Sequence, residues 1–423
     1  MLQIAEISAN KEAFAAALNK RNIDAMPLLN NAIAIDEKRR HLQAELDETL
    51  ASSNKLSREI GELFKTGQRD EANKLKEQTV KLKTDSKKLQ EDLHQAVEEL
   101  QNVLYEIPNI PHESVPAGNT DEDNEVVSEH GSRPQLHDGA QPHWELVKQY
   151  DIIDFELGTK ITGAGFPVYK NKGARLQRAL INYFLDKNVE AGYNEVQVPL
   201  VVNEKSAYGT GQLPDKEGQM YHVTNDDLYL IPTAEVPITN LYRDQVLDEK
   251  DFPISMTGYT PCFRREAGSY GSDVRGLNRL HQFDKVEILR VEHPDQSESA
   301  LDAMVVHVKG ILEDLELPFR ILRLCGGDLG FTSTLTYDFE IYSAAQEKWL
   351  EVSSVSNFKT FQANRLKLRY KTGNKGTRLA HTLNGSALAL PRILAGILEN
   401  YQTSDGIKIP TALVPYCGFA MID

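Results

Sequence analysis

Residues 258–290 read GYTPCFRREAGSYGSDVRGLNRLHQFDKVEILR, and the fold turns on this stretch. Two apolar runs, around Phe263 and Phe283, flank a loop rich in Gly, Ser and Arg, which predicts two strands joined as an antiparallel pair. Strand alternation puts Arg264 and Glu266, two apart, on one face, and sets Arg279, Phe283 and Glu287, at four-residue spacing, on one face of the returning strand. Two arginines, two carboxylates and an aromatic on one surface suit a nucleotide, because arginine grips phosphate bidentately and a ring face stacks on a purine. A salt-bridged sheet surface with a core phenylalanine satisfies the same spacing, and spacing alone leaves both readings open.

Outward from this stretch the text mixes apolar strands with amphipathic helices from about Trp144 to Asp423: a helix over 174–192, a strand EVQVPLVV over 195–202, and a helix SALALPRILAGILENY over 386–401. No regular crossover helices separate the strands, so the expected fold class is α+β with an antiparallel sheet rather than a doubly wound one. Residues 107–142, with Pro, Gly, Asn and Asp clusters, read as a linker leading irregularly into this domain. The expected division is 1–106, 107–142 and 143–423.

Upstream the pattern changes. Residues 1–26 read as a small cap, a strand-like MLQIAEI followed by an Ala-rich helix around Phe14–Leu18. From Leu28 apolar residues fall on alternating four- and three-residue steps (Leu28, Ala32, Ile35, Leu42, Leu46, Leu56, Ile60, Leu63) and resume after Gly67 (Ala72, Leu75, Leu82, Leu89, Leu93, Ala96, Leu100, Val103). That 3.5-residue period predicts an antiparallel coiled-coil hairpin over about 28–104, folding back at Gly67-Gln68, with arms of roughly 50 Å.

Composition bounds the function. The chain has 423 residues, 47 Lys+Arg against 62 Asp+Glu, and a net charge of −15, which argues against a general nucleic-acid binder. The hairpin tip departs from that average: residues 55–88 hold ten basic and six acidic residues, a local +4 that includes Lys55, Arg58, Lys65, Arg69, Lys74, Lys76 and Lys81. A positive rod on an acidic protein suits a phosphate backbone, although Lys and Glu are also the default residues on the outer positions of a coiled coil. No apolar run approaches the ~18 residues of a membrane span, and no secretory signal is expected. Three scattered cysteines fit a reducing cytoplasm and give no paired spacing for zinc.

The pattern F-R-x-E, a loop, then R-x-x-x-F-x-x-x-E resembles the second signature motif of class II aminoacyl-tRNA synthetases. With GTGQLP (209–214), IPTAEVPITN (231–240), EVSSVSN (351–357), HTLNGSALALPR (381–392) and the helical hairpin, the whole chain resembles the seryl-tRNA synthetase family. The resemblance implies that L-serine is activated with ATP and Mg²⁺ and transferred to tRNA(Ser), or also to tRNA(Sec). It places Thr233, Ala234, Glu235, Glu287, Asn384 and Ser386 around serine. Arg264, Arg265, Glu266, Arg279, Leu280, Phe283, Glu351, Val352, Ser353, Ser354 and Arg392 fall on ATP, Glu351 and Ser354 on the metal, and the tip cations on tRNA. Arg264, Glu266 and Arg392 are the implied catalytic residues.

It also implies a homodimer through the segment 174–202. Where the family's third motif has a glycine before its arginine, this chain has Pro391, which predicts a kink or a first-turn position there. Two rival readings are a ligase that charges a carrier protein and a non-catalytic coiled-coil interaction protein. Thr233-Ala234-Glu235 taken alone is also a plain helix start, EVSSVSN a plain strand edge, and His381 a structural histidine.

Overall fold

The strands expected around Phe263 and Phe283 pair antiparallel, Gln282 opposite Phe263 and Glu287 opposite Gly258. The structure, a computed structural model, describes residues 1–215, 218–266, 275–373 and 376–423. Most of the expected Gly/Ser/Arg-rich loop, 267–274, lies outside the described residues.

By packing, the chain divides into two compact units, 1–19 with 23–108, and 20–22 with 109–423. In the first, helix α1 (Met26–Lys65) and helix α2 (Arg69–Glu106) form the hairpin, turning at Thr66–Gln68 where Gly67 takes φ +81°. That left-handed turn is open to glycine at no steric cost. The expected seam holds. Positions 39, 42, 46, 49, 53, 56, 60 and 63, and 72, 75, 79, 82, 86, 89, 93, 96, 100 and 103, are all buried or half-buried. Near the base the seam also takes in Leu29 and Asp36, the latter buried under ion pairs from Arg39 (2.8 Å) and Arg40 (3.0 Å). One reading fails: MLQIAEI is not a strand, since Ile4–Ala9 is helical and buries Ile7.

The second unit is organised on one sheet of eight strands: β1 (Glu125–His130), β2 (Asn194–Glu195), β3 (Ile254–Phe263), β4 (Gln282–Glu292), β5 (Phe319–Arg323), β6 (Leu335–Ser343), β7 (Lys348–Lys359) and β8 (His381–Ala389). Their order is β1-β5-β6-β7-β8-β4-β3-β2, antiparallel throughout except for β2 beside β3. This is the expected α+β class.

Alternation sorts the two faces. Val286, Ile288, Phe339, Ile341, Val355 and Leu383 point to one side, into an apolar core with Leu176, Leu180 and Phe184 of α3 (Asn171–Glu190), Met304 and Val308 of α4 (Ser297–Asp314), and Ile393, Leu394 and Ile397 of α5 (Leu390–Asn400). The other face carries Met256 and Leu289 under a smaller core with Ile238, Ala363 and Leu366. The rest of that face is polar, and the site lies there.

The segment 107–142, read as a linker leading irregularly into the sheet domain, is tied to that unit: Asn109 bonds Thr332 O at 2.9 Å and Phe358 O at 2.8 Å, and β1 is an edge strand of the sheet. Two element boundaries differ from the sequence reading. The strand expected over 195–202 is broken into Asn194–Glu195 and Val201–Asn203, on different sheets. The helix expected over 386–401 starts only at Leu390, since residues 386–389 complete β8. EVSSVSN is no sheet edge; it runs through β7, between β6 and β8.

Candidate active site

The centre of the polar face is a pocket of buried charge. Glu287 on β4 is 1 % exposed and pairs with Lys285 Nζ at 2.8 Å, itself buried on the same face of the strand. Ser386 of β8 lies opposite Glu287, with Asn384 next on that face. Gly258 of β3 lies opposite Glu287 on the other side, and a Cβ there would fall 2.8 Å from Val196 O and 3.0 Å from Ile238 Cδ1. A bare backbone at 258 thus leaves room for Val196 and Ile238 to pack against this strand beside Glu287. Thr233 Oγ1 lies 3.4 Å from Glu287 Oε2 and also receives the Glu235 N–H at 3.2 Å. The threonine therefore both braces the turn before the helix Glu235–Asn240, whose N-cap is Ala234, and walls the buried charge.

Glu235 is also buried. It accepts from Gln362 Nε2 at 2.6 Å, and Gln362 Oε1 accepts from Thr382 Oγ1 at 2.8 Å. Burial, then repulsion from Glu287, push the Glu235 carboxyl up to about 7, against the pull of Gln362, Lys285 and Asn384. Burial raises Glu287 as well, opposed by Lys285 and Arg264. Once Glu235 is ionised, Glu235 and Glu287 are two buried carboxylates facing one buried lysine, Lys285, so the cluster lacks one buried positive charge. A ligand ammonium would supply it.

Along the same face lies an arginine–aromatic pair. The Arg264 guanidinium sits 5.2 Å from the Phe283 ring centre, and its Nε donates to Pro232 O at 3.4 Å. Arg264 and Glu266 do not share a strand face as expected: β3 ends at Phe263, and Glu266 takes φ +49°. Arg279 likewise precedes β4, and its guanidinium pairs with Glu266 across the mouth of the loop. Leu280 is buried, and Arg265 is fixed by its backbone N–H to Gln219 O at 2.8 Å.

Farther along, Glu351 and Ser354 meet on one face although they are three residues apart. A β-bulge makes this possible: Ser354 faces Asp338 and Glu351 faces Glu340, while Val352 is the extra residue. Val352 packs into the apolar core and the Ser353 hydroxyl bonds Ser386 O at 2.6 Å, so neither side chain is free for a nucleotide. Arg392 lies in the first turn of α5, just after Pro391, which also sits in that turn, as expected, where no helical hydrogen bond is lost. Its Nη1 donates to Glu351 O at 2.8 Å and lies 3.5 Å from Glu351 Oε2.

Asp338 completes this end of the site. Burial, then Glu351, push its carboxyl well above the usual range, the Ser354 hydroxyl pulls it back, and its Oδ1 has no hydrogen-bond partner. An orphaned buried oxygen beside Glu351 and Ser354 fits a hard divalent cation, which takes oxygen ligands. Among the described residues no cluster of three His, Cys, Asp or Glu could hold a metal alone, so phosphate oxygens would complete the set.

The structure brings together Thr233, Ala234, Glu235, Glu287, Asn384 and Ser386, and separately Glu351, Ser354 and Arg392, on one sheet face. Sequence reasoning missed Lys285, Gln362, Thr382 and Asp338. Lys285 was findable, two residues from Glu287; the others are placed by long-range packing and leave no local signal. His381, read as structural, hydrogen-bonds Ser297 Oγ at 2.7 Å, and burial lowers its ring to about 4.

A family model described as the tRNA synthetase class II core domain (G, H, P, S and T) matches residues 221–401, and the seryl-tRNA synthetase N-terminal domain matches residues 1–111. The serine–tRNA ligase of Salinibacter ruber is 49 % identical, over 100 % of this chain and 99 % of its own. The chain belongs to the seryl-tRNA synthetase family. The serine–tRNA ligase of Chlorobium chlorochromatii is 45 % identical over the full length of both chains. The crystal structure of the seryl-tRNA synthetase from Pyrococcus horikoshii complexed with ATP superposes with a TM-score of 0.91 at 31 % identity, covering 100 % of this chain and 99 % of that one. Both the hairpin and the sheet domain therefore belong to one family architecture.

Proposed function

We propose that the residues on the polar sheet face divide the work of a serine–tRNA ligase as follows. Family membership makes the chain an ATP-dependent aminoacyl-tRNA ligase, with serine and tRNA as substrates. The observation that carries the residue assignment is the buried deficit of positive charge at Glu235, Glu287 and Lys285. The serine α-ammonium supplies that charge, and the hydroxyls and amides of Thr233, Asn384 and Ser386 receive the serine hydroxyl. A pocket that pairs a substrate hydroxyl rejects alanine, because its own polar groups would be left unpaired.

Arg264 holds the serine carboxylate against the ATP α-phosphate, Phe283 stacks on adenine, and Glu266 contacts its amino group. Attack of the carboxylate oxygen on the α-phosphorus breaks the α–β phosphoanhydride bond and expels pyrophosphate, and it needs alignment and positive charge rather than a side-chain nucleophile. Arg392 meets the outer phosphates. Glu351 and Ser354, with Asp338 beside them, would hold Mg²⁺, which neutralises phosphate charge when bound. The tRNA 3′ hydroxyl then attacks the seryl carbonyl of the adenylate, forming the ester as the anhydride bond breaks and AMP leaves, with the exposed cations Lys55, Arg58, Lys65, Arg69, Lys74, Lys76 and Lys81 of the hairpin holding tRNA by its backbone.

The proposed division of labour separates 1–106 for tRNA from 143–423 for chemistry. A homodimer through 174–202 is proposed on the apolar residues Val189, Leu200 and Val201 exposed along that segment, and sedimentation equilibrium tests it. A cytoplasmic location is proposed on the three free, buried cysteines; no helix among the described residues is long and apolar enough to cross a membrane. The residue assignment is tested by serine-dependent ATP–pyrophosphate exchange of Arg264→Ala. A fall of at least about 100-fold, equivalent to about 2.7 kcal/mol of lost stabilisation, is expected. Retention of most of the rate would remove Arg264 from the phosphate grip.

A further inference from the structure

Residues 275–280, which lead from the loop into β4, are tied to a buried cluster that the assignments above do not use. His143 and Glu399 both have side chains with no exposed surface. His143 Nδ1 lies 2.7 Å from Glu399 Oε1, and the His143 backbone N–H donates to the same oxygen at 2.9 Å. Gln346 Nε2 donates to it at 2.9 Å, and the Ser343 hydroxyl donates to Glu399 Oε2. Burial would raise the Glu399 carboxyl, but the hydrogen bonds from His143 and Ser343 hold it below the usual range. A carboxylate on Nδ1 fixes the ring's proton there and leaves a lone pair on Nε2. That lone pair receives the Leu277 backbone N–H at 2.8 Å.

The same cluster holds the next residue. Gln346 Oε1 accepts from Asn278 Nδ2 at 2.8 Å, and Asn278 O accepts from Arg392 Nε at 3.0 Å. Before it, Arg275 stacks on Trp144 at 4.8 Å and pairs with Glu145 at 3.0 Å. Gly276 has φ +67°, and a Cβ there would fall 2.2 Å from His143 Nε2, so the backbone passes directly over the ring.

We propose that His143 is a positioning residue for ATP. Its Nε2 latches Leu277, which sets Arg279 and Leu280 at the loop mouth and, through Asn278, the guanidinium of Arg392. This rests on the reading of Arg264, Arg279 and Arg392 as the ATP-binding side chains.

The test is pyrophosphate exchange as a function of ATP at saturating serine, with Trp fluorescence melting as the measure of folding. In His143→Asn the amide can still donate to Glu399 but cannot reach Leu277, whereas in His143→Gln the amide oxygen can stand where Nε2 stood. His143→Asn is expected to raise KM for ATP about fivefold, the effect of losing one neutral hydrogen bond, and to leave KM for serine unchanged. His143→Gln is expected to restore KM for ATP to within about twofold. Should His143→Asn not fold, Gln346→Leu, which frees Asn278, is expected to give the same rise in KM for ATP.

Equal shifts in the Asn and Gln variants, or an unchanged KM for ATP in a folded His143→Asn with a lower melting temperature, would make the cluster purely structural and overturn the latch. Arg264→Ala separates the two layers. If it loses exchange while a folded His143→Asn binds ATP normally, the latch falls and the site reading stands. If it keeps exchange, both fall.

Discussion

Replacing Glu235 by Gln tests the buried charge deficit directly. In the wild-type chain the Glu235 carboxyl is raised from 4.5 to about 7, by burial first and Glu287 second, while in the unfolded chain it returns to 4.5. Between those values the native state holds a proton that the unfolded chain has released, so native stability falls as pH rises through that window. Integrated between pH 5 and pH 8, this one group makes the wild type lose about 2–3 kcal/mol. A glutamine does not titrate, keeps the shape and can still meet Gln362. The stability advantage of Glu235→Gln over wild type should therefore grow by about 2–3 kcal/mol from pH 5 to pH 8. Both tryptophans, Trp144 and Trp349, lie in the sheet-bearing unit, so guanidinium denaturation followed by Trp fluorescence reads that unit alone. The variant should at the same time bind serine poorly, and wild-type KM for serine should fall as pH rises through 7, where Glu235 becomes free to receive the ammonium. A stability difference that stays flat across the range would refute the burial argument, whatever happens to activity.

Lys285→Met leaves the Glu287 carboxylate without its cation and should cost about 3–5 kcal/mol at pH 8 in the same titration, with less at pH 5, because burial raises the Glu287 carboxyl and lower pH favours its neutral form. An equal cost at both pH values would show that packing, not charge, is lost. Glu351→Gln should raise the Mg²⁺ concentration for half-maximal exchange about tenfold, and an unchanged midpoint would take Glu351 off the ion. Replacing residues 36–98 by a short turn should leave serine-dependent exchange within about twofold and abolish transfer to tRNA, because the cations proposed to meet phosphate lie on that hairpin. Equal loss of both activities would make the arm structural.

The hairpin was legible because its period repeats over ten turns per arm, and local errors average out. The polar face was legible only where alternation is unbroken. Phe283, Lys285 and Glu287 share a face by simple spacing, yet Arg264 and Glu266 reach the site from beyond the strand end, across a positive φ at Glu266. Glu351 and Ser354 share a face because one residue of β7 is bulged out, and alternation alone would have set them on opposite sides. Gln362 and Thr382 meet from a helix and a strand that only the folded sheet brings together. The first residues failed for a different reason: MLQIAEI alternates like a strand, but packing of Ile7 and Leu18 into the first unit favours a helix there.

The −15 net charge pointed away from nucleic acid, and its distribution qualifies that: with +4 on the hairpin tip, the remaining 389 residues carry −19. On the proposed reading, the basic hairpin tip would attract tRNA locally while the acidic remainder repels it, which favours specificity over general affinity.

The most direct measurement is ATP–pyrophosphate exchange by the purified full-length chain with each of the twenty amino acids, followed by transfer to tRNA(Ser). The account predicts exchange with serine far above that with alanine, cysteine or threonine, and serine esterified to tRNA(Ser). Exchange driven by another amino acid, or serine activated but not transferred to tRNA, would contradict it.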